Sequence, residues 1–238
     1  MIKKRLTTQL PCYLGSLEYF WKIAQCDVLV LTDQLQYTKR SVASISAPLK
    51  ENDDRLRIPV KHDEQPTPIF KKRIDTSLNW TRKHYKTLYH TYHHLPFAYY
   101  YLPQLNEVFD RLPSKLTDVL YNIIMLISGW LHFDVQIITG SSITNFEEAN
   151  AFIRQAMHQY QASIYLNDET VFRRNWVSKK ILNEFGVETK TFYPLPDSHL
   201  FRSYAHQSIL LFILQFGPES GYLIKQYLPE SLSSNRFK

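Results

Sequence analysis

Apolar positions in the first third of the chain follow two rhythms. Leu17, Phe20, Trp21 and Ala24 recur at helical spacing, and Asp27 then opens the unbroken apolar run Val28 to Leu31. Ahead of both, Arg5 to Gln9 reads as a short extended stretch ended by Pro11. A strand without polar alternation is one covered on both faces, so this order predicts a parallel β-α-β unit. Ser41 to Ser46 and Arg55 to Val60 alternate polar and apolar residues around a polar turn, Lys50 to Asp54, and predict an antiparallel hairpin.

The middle of the chain, about residues 79–133, reads as helical. Trp80, His84, Leu88 and Tyr92 are spaced four apart and share one helix face, with Asn79 as a candidate cap and Pro96 as the stop. A second helix is expected from about Pro103 to Arg111, and a long apolar one from Lys115 to Phe133. Alternation then returns: strand Val135 to Thr139, a helix, strand Ser163 to Leu166, a helix, strand Glu188 to Phe192. Thr144 to Glu147 has the form of a capping box, and Gly186 stands where a helix end wants a left-handed residue. Ser208 to Leu214 is an apolar helix that leads to Gly217-Pro218 and then to Glu219 to Leu228. The expected fold is one α/β domain over residues 1–238, a mostly parallel sheet flanked by helices with an antiparallel hairpin and a helical middle section.

Composition narrows the chemistry. The 238 residues include only six glycines, about a third of the usual share of roughly 7%. None forms the glycine-rich phosphate cradles of dinucleotide or P-loop proteins, nor a hydrolase nucleophile elbow. Net charge is +6, but the short basic runs Lys3 to Arg5 and Lys71 to Arg73 lack aromatic interleaving, which argues against a nucleic-acid partner. The most apolar window, Leu116 to Phe133, is broken by Asp118, Asn122 and His132 and falls short of the ~20 apolar residues of a membrane span. With no secretory apolar stretch at the N-terminus and two separated cysteines, Cys12 and Cys26, the expected location is cytoplasmic.

Three side-chain groups carry candidate chemistry. His90 and His94, with His93 beside them, have the spacing of a two-histidine metal clamp but no accompanying acid or thiol, and an ordinary helix face is the favoured reading. Asp33, Gln36, Tyr37, Lys39 and Arg40 follow directly on a buried strand, where parallel sheets bind ligands; the two cations suit an anionic small molecule. Asp75, Trp80, Lys83 and His84 surround a helix start, where a histidine can serve as a base. No metal-ligand set is assigned and no cofactor is specified.

Several segments then match one pattern in order: Pro11 to Leu14 with Tyr19 to Ile23, Asp27 to Asp33 running into Gln36 to Ser41, Arg57 to Lys61, Ile74-Asp75 with Asn79-Trp80 and Lys83-His84, and Ser208-Ile209 leading to Gly217 to Ser220. The chain resembles the WbqC-like family, found with bacterial O-antigen and other cell-surface polysaccharide clusters. The resemblance implies modification of a surface sugar, with transfer of an acyl or aminoacyl group to an amino-sugar nucleotide as one proposal. It implies that Asp33 and His84 are catalytic, and that Gln36, Tyr37, Lys39, Arg40, Asp75, Trp80 and Lys83 bind a nucleotide-sugar or activated acyl donor, with glycan-assembly proteins as partners. Two other readings stay open, a non-catalytic binding or scaffold protein of a glycan-assembly complex and a nucleotidylyltransferase-like enzyme.

The sequence also departs from the family's pattern. Gln9-Leu10 stands where relatives commonly carry His-Gln, Ser44-Ile45-Ser46 where they carry Asn-Arg-Asn, Asn167-Asp168 in place of a loop containing Ser-Gly, and His206 and Leu211 in place of Asn and Asp. All four changes fall on polar or glycine positions, as in a retained fold with an altered site.

Overall fold

The structure is a computed structural model that describes residues 3–50, 53–62, 66–111, 114–143, 148–174, 177–229 and 232. Its sheet has five parallel strands, β1 (Arg5–Gln9), β2 (Val28–Leu31), β3 (Gln136–Thr139), β4 (Ile164–Asn167) and β5 (Glu188–Thr191), in the order β3-β2-β1-β4-β5. Leu6 lies opposite Val28 on one side and Tyr165 on the other, so β1 is the central strand. The apolar run of β2 is buried along its whole length, as a strand covered on both faces requires.

The two faces carry separate cores. On one, Leu29, Leu31, Ile137, Ile164 and Leu166 pack with α1 (Leu17–Ile23), α2 (Trp80–Tyr92), α3 (Ala98–Asp110), α4 (Leu116–Trp130), α8 (His199–Tyr204), α9 (Ile209–Phe216) and α10 (Glu219–Gln226). On the other, Leu6, Val28, Val30 and Tyr165 pack with α5 (Ala149–Gln159), α6 (Glu169–Arg173) and α7 (Lys179–Glu184). The segments between β1, β2 and β3 therefore lie on one face, and those between β3, β4 and β5 on the other. The winding direction reverses between β1 and β4, which makes this a doubly wound sheet with a switch point beside its central strand.

Local chemistry accounts for several boundaries. Ser16, Ser178 and Ser198 cap α1, α7 and α8 by accepting from backbone N–H groups. Gly186 ends α7 at φ +74°, donating to the Asn183 carbonyl while Val187 donates to that of Leu182, the paired bonds of a Schellman cap. The Thr144 to Glu147 capping box lies outside the described residues; the described cap of α5 is Glu148, whose carboxylate accepts from the Asn150 and Ala151 N–H groups.

Three expectations need correction. The second central helix begins at Ala98 and not at Pro103, which sits inside it. Pro103 has no N–H to give the carbonyl of Tyr99, but Tyr99 is 93% exposed and water can take that bond. The hairpin is reduced to one antiparallel bridge, Ile45 to Arg57, flanked by backbone bonds from Ser46 to Leu56 and from Ile58 to Ser44. Asn79 occupies the cap position of α2 without making a side-chain capping bond. No helix of the described residues is long and apolar enough to cross a membrane.

Gly221 on α10 lies against the end of α4, where an added Cβ would meet the Leu131 carbonyl oxygen at 2.1 Å. Gly129, on the exposed side of α4, has nothing within 4 Å of such a Cβ. Gly221→Ala is expected to destabilise the protein by about 2 kcal/mol or more. Gly129→Ala is expected to stabilise it by up to ~1 kcal/mol through helix propensity. Urea denaturation of both variants checks the opposite signs.

Candidate functional site

Asp33 follows β2 and is fully buried. Its carboxylate accepts from the Ser141 N–H at 2.8 Å, the Ser141 hydroxyl at 2.7 Å and the Thr117 hydroxyl at 3.3 Å. Burial raises its pKa, and the bonds from Ser141 and Thr117 partly offset the rise. Both oxygens are thus committed to joining the end of β2 to the turn after β3 and to α4.

The neighbouring residues sit on the loop that leaves β2. Gln36 is exposed and bridges Pro68. Tyr37 bonds the Ser44 hydroxyl at 2.7 Å and lies under the Lys72 ammonium, 5.2 Å from the ring centre. Lys39 and Arg40 are exposed, and the Lys39 carbonyl accepts from the Arg57 guanidinium at 2.6 Å.

The third group divides between surface and interior. Asp75 accepts from both the N–H and the hydroxyl of Ser77, and these bonds hold its carboxyl below the usual range. Lys83 is exposed, whereas Trp80 and His84 point inward. His84 is 7% exposed, lies 4.9 Å from the Trp80 ring and shares a 2.8 Å hydrogen bond between Nδ1 and the Tyr13 hydroxyl. Burial pushes its pKa down to about 4, against an opposing hydrogen bond to the backbone of Arg57. The segment around Arg57 thus ties Lys39 to His84, and Pro59 accepts from the Asp75 N–H at 3.0 Å. Asp33 makes none of these bonds.

None of the nine lines the three cavities that follow. The most open, about 1110 Å³, lies between α5 and Gly186 at the edge where β4 and β5 begin. A second, about 400 Å³, is walled by Cys12, Tyr13, Tyr19 and Pro48 and includes Ile45, Ser46 and His206. Burial raises the Cys12 thiol to about 12, so it stays protonated.

The third cavity, about 450 Å³, opens at the carboxyl ends of β1 and β4. Thr8, Gln9, Thr32, Asn167 and Asp168 supply its polar groups, and Leu10, Leu35, Phe152, Ile153, Val171 and Val177 its apolar wall. Among the described residues Asp168 is its one ionisable lining group, and it is held by Lys22 at 2.9 Å. The sequence marked Gln9-Leu10 and Asn167-Asp168 only as departures from a pattern. They face each other because the sheet order sets β1 beside β4, a pairing no local signal encodes. No group of three or more His, Cys, Asp or Glu residues that could hold a metal ion occurs among the described residues.

A doubly wound parallel sheet with a cavity at its switch point makes this an α/β protein. The model of the WbqC-like protein family matches residues 10–194, and the chain belongs to that family. No curated protein and no solved structure matches it.

The buried neutral His84 gives a pH signature. Its folded-state pKa lies below the ordinary 6.5, so its contribution is complete above about pH 6.5 and is lost as pH falls through about 4. The shift corresponds to about 3 kcal/mol. Asp33, with its raised pKa, acts in the opposite sense, losing stability as pH rises from 3.8. Denaturation at pH 7 and pH 4 is expected to reveal a loss of about 3 kcal/mol in the wild type that His84→Gln lacks, Asp33 being common to both.

Proposed function

We propose that this protein binds a nucleotide-activated amino sugar in the β1/β4 crevice and transfers a small acyl or aminoacyl group to the sugar nitrogen, a cytoplasmic step in building a bacterial cell-surface polysaccharide. The observation that carries the reading is the crevice itself, at the strand ends where doubly wound sheets bind ligands. Amide and hydroxyl groups from Gln9, Thr32 and Asn167 suit a polyhydroxylated ligand, and the wall around Phe152 suits a ring face. With no glycine-rich loop, the diphosphate falls to side chains. Lys39 and Arg40, exposed on the loop that continues from Thr32, are the cations assigned to it.

In the transfer the sugar nitrogen attacks the carbonyl carbon of the acyl donor. A C–N bond forms, the bond to the donor's thiol or alcohol breaks, and the proton lost by nitrogen goes to Asp168, while the leaving group departs with a proton from solvent. Asp168 receives this role because it is the ionisable group lining the crevice among the described residues, whereas His84 is enclosed beside Tyr13.

A second reading, binding without chemistry as part of a glycan-assembly complex, is favoured by that same scarcity of reactive groups in the lining. Calorimetry with a uridine-diphosphate amino sugar separates the readings from a chain that takes no such ligand. Binding is expected for the wild type, weakened about tenfold or more by removing both charges in Lys39→Ala/Arg40→Ala. Transfer is expected to fall at least tenfold in Asp168→Asn with binding retained. No binding at all contradicts both readings, and binding without turnover favours the second.

A further inference from the structure

The crevice floor is built over a fixed chain of hydrogen bonds. The Asp168 N–H donates to Asn167 Oδ1 at 2.8 Å, which turns the Asn167 Nδ2 toward Tyr165; Nδ2 donates to the Tyr165 hydroxyl oxygen at 2.6 Å. The Tyr165 oxygen also lies 2.6 Å from Thr8 Oγ1. Tyr165 is fully buried, with no further hydrogen-bond partner among the described residues. Burial raises its pKa to about 12, so the phenol keeps its proton. A buried phenol that accepts from Asn167 must place that proton somewhere, and Thr8 Oγ1 is the acceptor within reach.

The direction of the chain is therefore determined. Thr8 accepts from Tyr165, which leaves its own hydroxyl proton to donate, and Asn167 retains its second Nδ2 proton. Thr8 and Asn167 both line the crevice, on the face that also holds Leu6, Tyr165 and α5.

We infer that the Asn167–Tyr165–Thr8 chain makes the crevice floor a hydrogen-bond donor, so that the Thr8–Asn167 end of this site selects a ligand by an uncharged carbonyl oxygen and disfavours an ammonium, which has no lone pair to accept with, in its place. An anionic oxygen is the weaker fit, because among the described residues the lining holds no Lys or Arg, and the Lys22 ammonium beside it is taken up by Asp168. The apolar wall suits the rest of such a group, either the ring of a pyrimidine or the methyl of an N-acyl substituent. Thr8 and Asn167 touch the ligand; Tyr165 acts through them as a positioning residue. The inference rests on the crevice being the ligand site and adds the chemistry that it recognises.

Ligand-observed NMR titrations of the full chain test it with three probes: uridine and N-acetylglucosamine, which carry the carbonyl on a base or on a sugar, and glucosamine, which lacks it. At least one carbonyl probe is expected to bind the wild type about tenfold more tightly than glucosamine, and which one binds identifies the source of the carbonyl. Thr8→Val is expected to reduce that preference about five- to tenfold and Thr8→Ser to restore it. Tyr165→Phe, which removes the donor that holds the Thr8 proton toward the crevice and lets that hydroxyl turn, is expected to narrow the preference while leaving glucosamine binding unchanged or stronger. If the carbonyl probes bind and Thr8→Val keeps the full preference, the donor chain is refuted while the crevice remains the ligand site. If glucosamine binds as tightly as N-acetylglucosamine and uridine, the inference also fails. If no probe binds, the crevice reading and the inference fall together.

Discussion

The parallel pairing of β1 with β2 on one side and β4 on the other is the constraint on which the molecule depends. Five short parallel strands need cover on both faces, and the chain provides it by winding first across one face and then across the other. Reversal at β1 carries the segments after β1 and β4 away from each other. The gap left between those strand ends is the crevice, so the feature that encloses the core also opens the cavity to which the proposed function assigns the ligand.

Buried polar groups around the strand ends then divide into two kinds. Asp33 is saturated by Ser141 and Thr117, and His84 is held between Tyr13 and the Arg57 backbone. Such groups cost stability when left unpaired and gain little exposure to ligand, so they are read as ties between elements. The Asn167–Tyr165–Thr8 chain differs because both of its ends reach the crevice lining. The scarcity of glycine fits this design, since a site without a backbone nest must present side chains to its ligand.

Much of the fold was legible in the sequence. The strand-helix-strand opening, the unbroken Val28 to Leu31 run, the four-residue spacing from Trp80 to Tyr92 and the Gly186 cap are local signals whose periodicity or backbone demand is read residue by residue. Pro103 misled because the cost of proline inside a helix depends on whether the freed carbonyl meets water, which sequence does not reveal. The site was less legible. Asp33, Lys39 and Arg40 follow one strand end, but a switch point belongs to two strands far apart in the chain, and strand order is a tertiary property. His84 read as a candidate base because its enclosure by Trp80 and Tyr13 is likewise tertiary.

The central claim, that ligand enters at the β1/β4 switch point, is tested most directly by mapping backbone amide shifts during titration with a uridine-diphosphate amino sugar. The account predicts that the largest changes fall on Thr8 to Leu10, Thr32 and Asn167 to Val171. Changes confined to Gln36 to Arg40 and Arg57, with those strand ends unmoved, would contradict it.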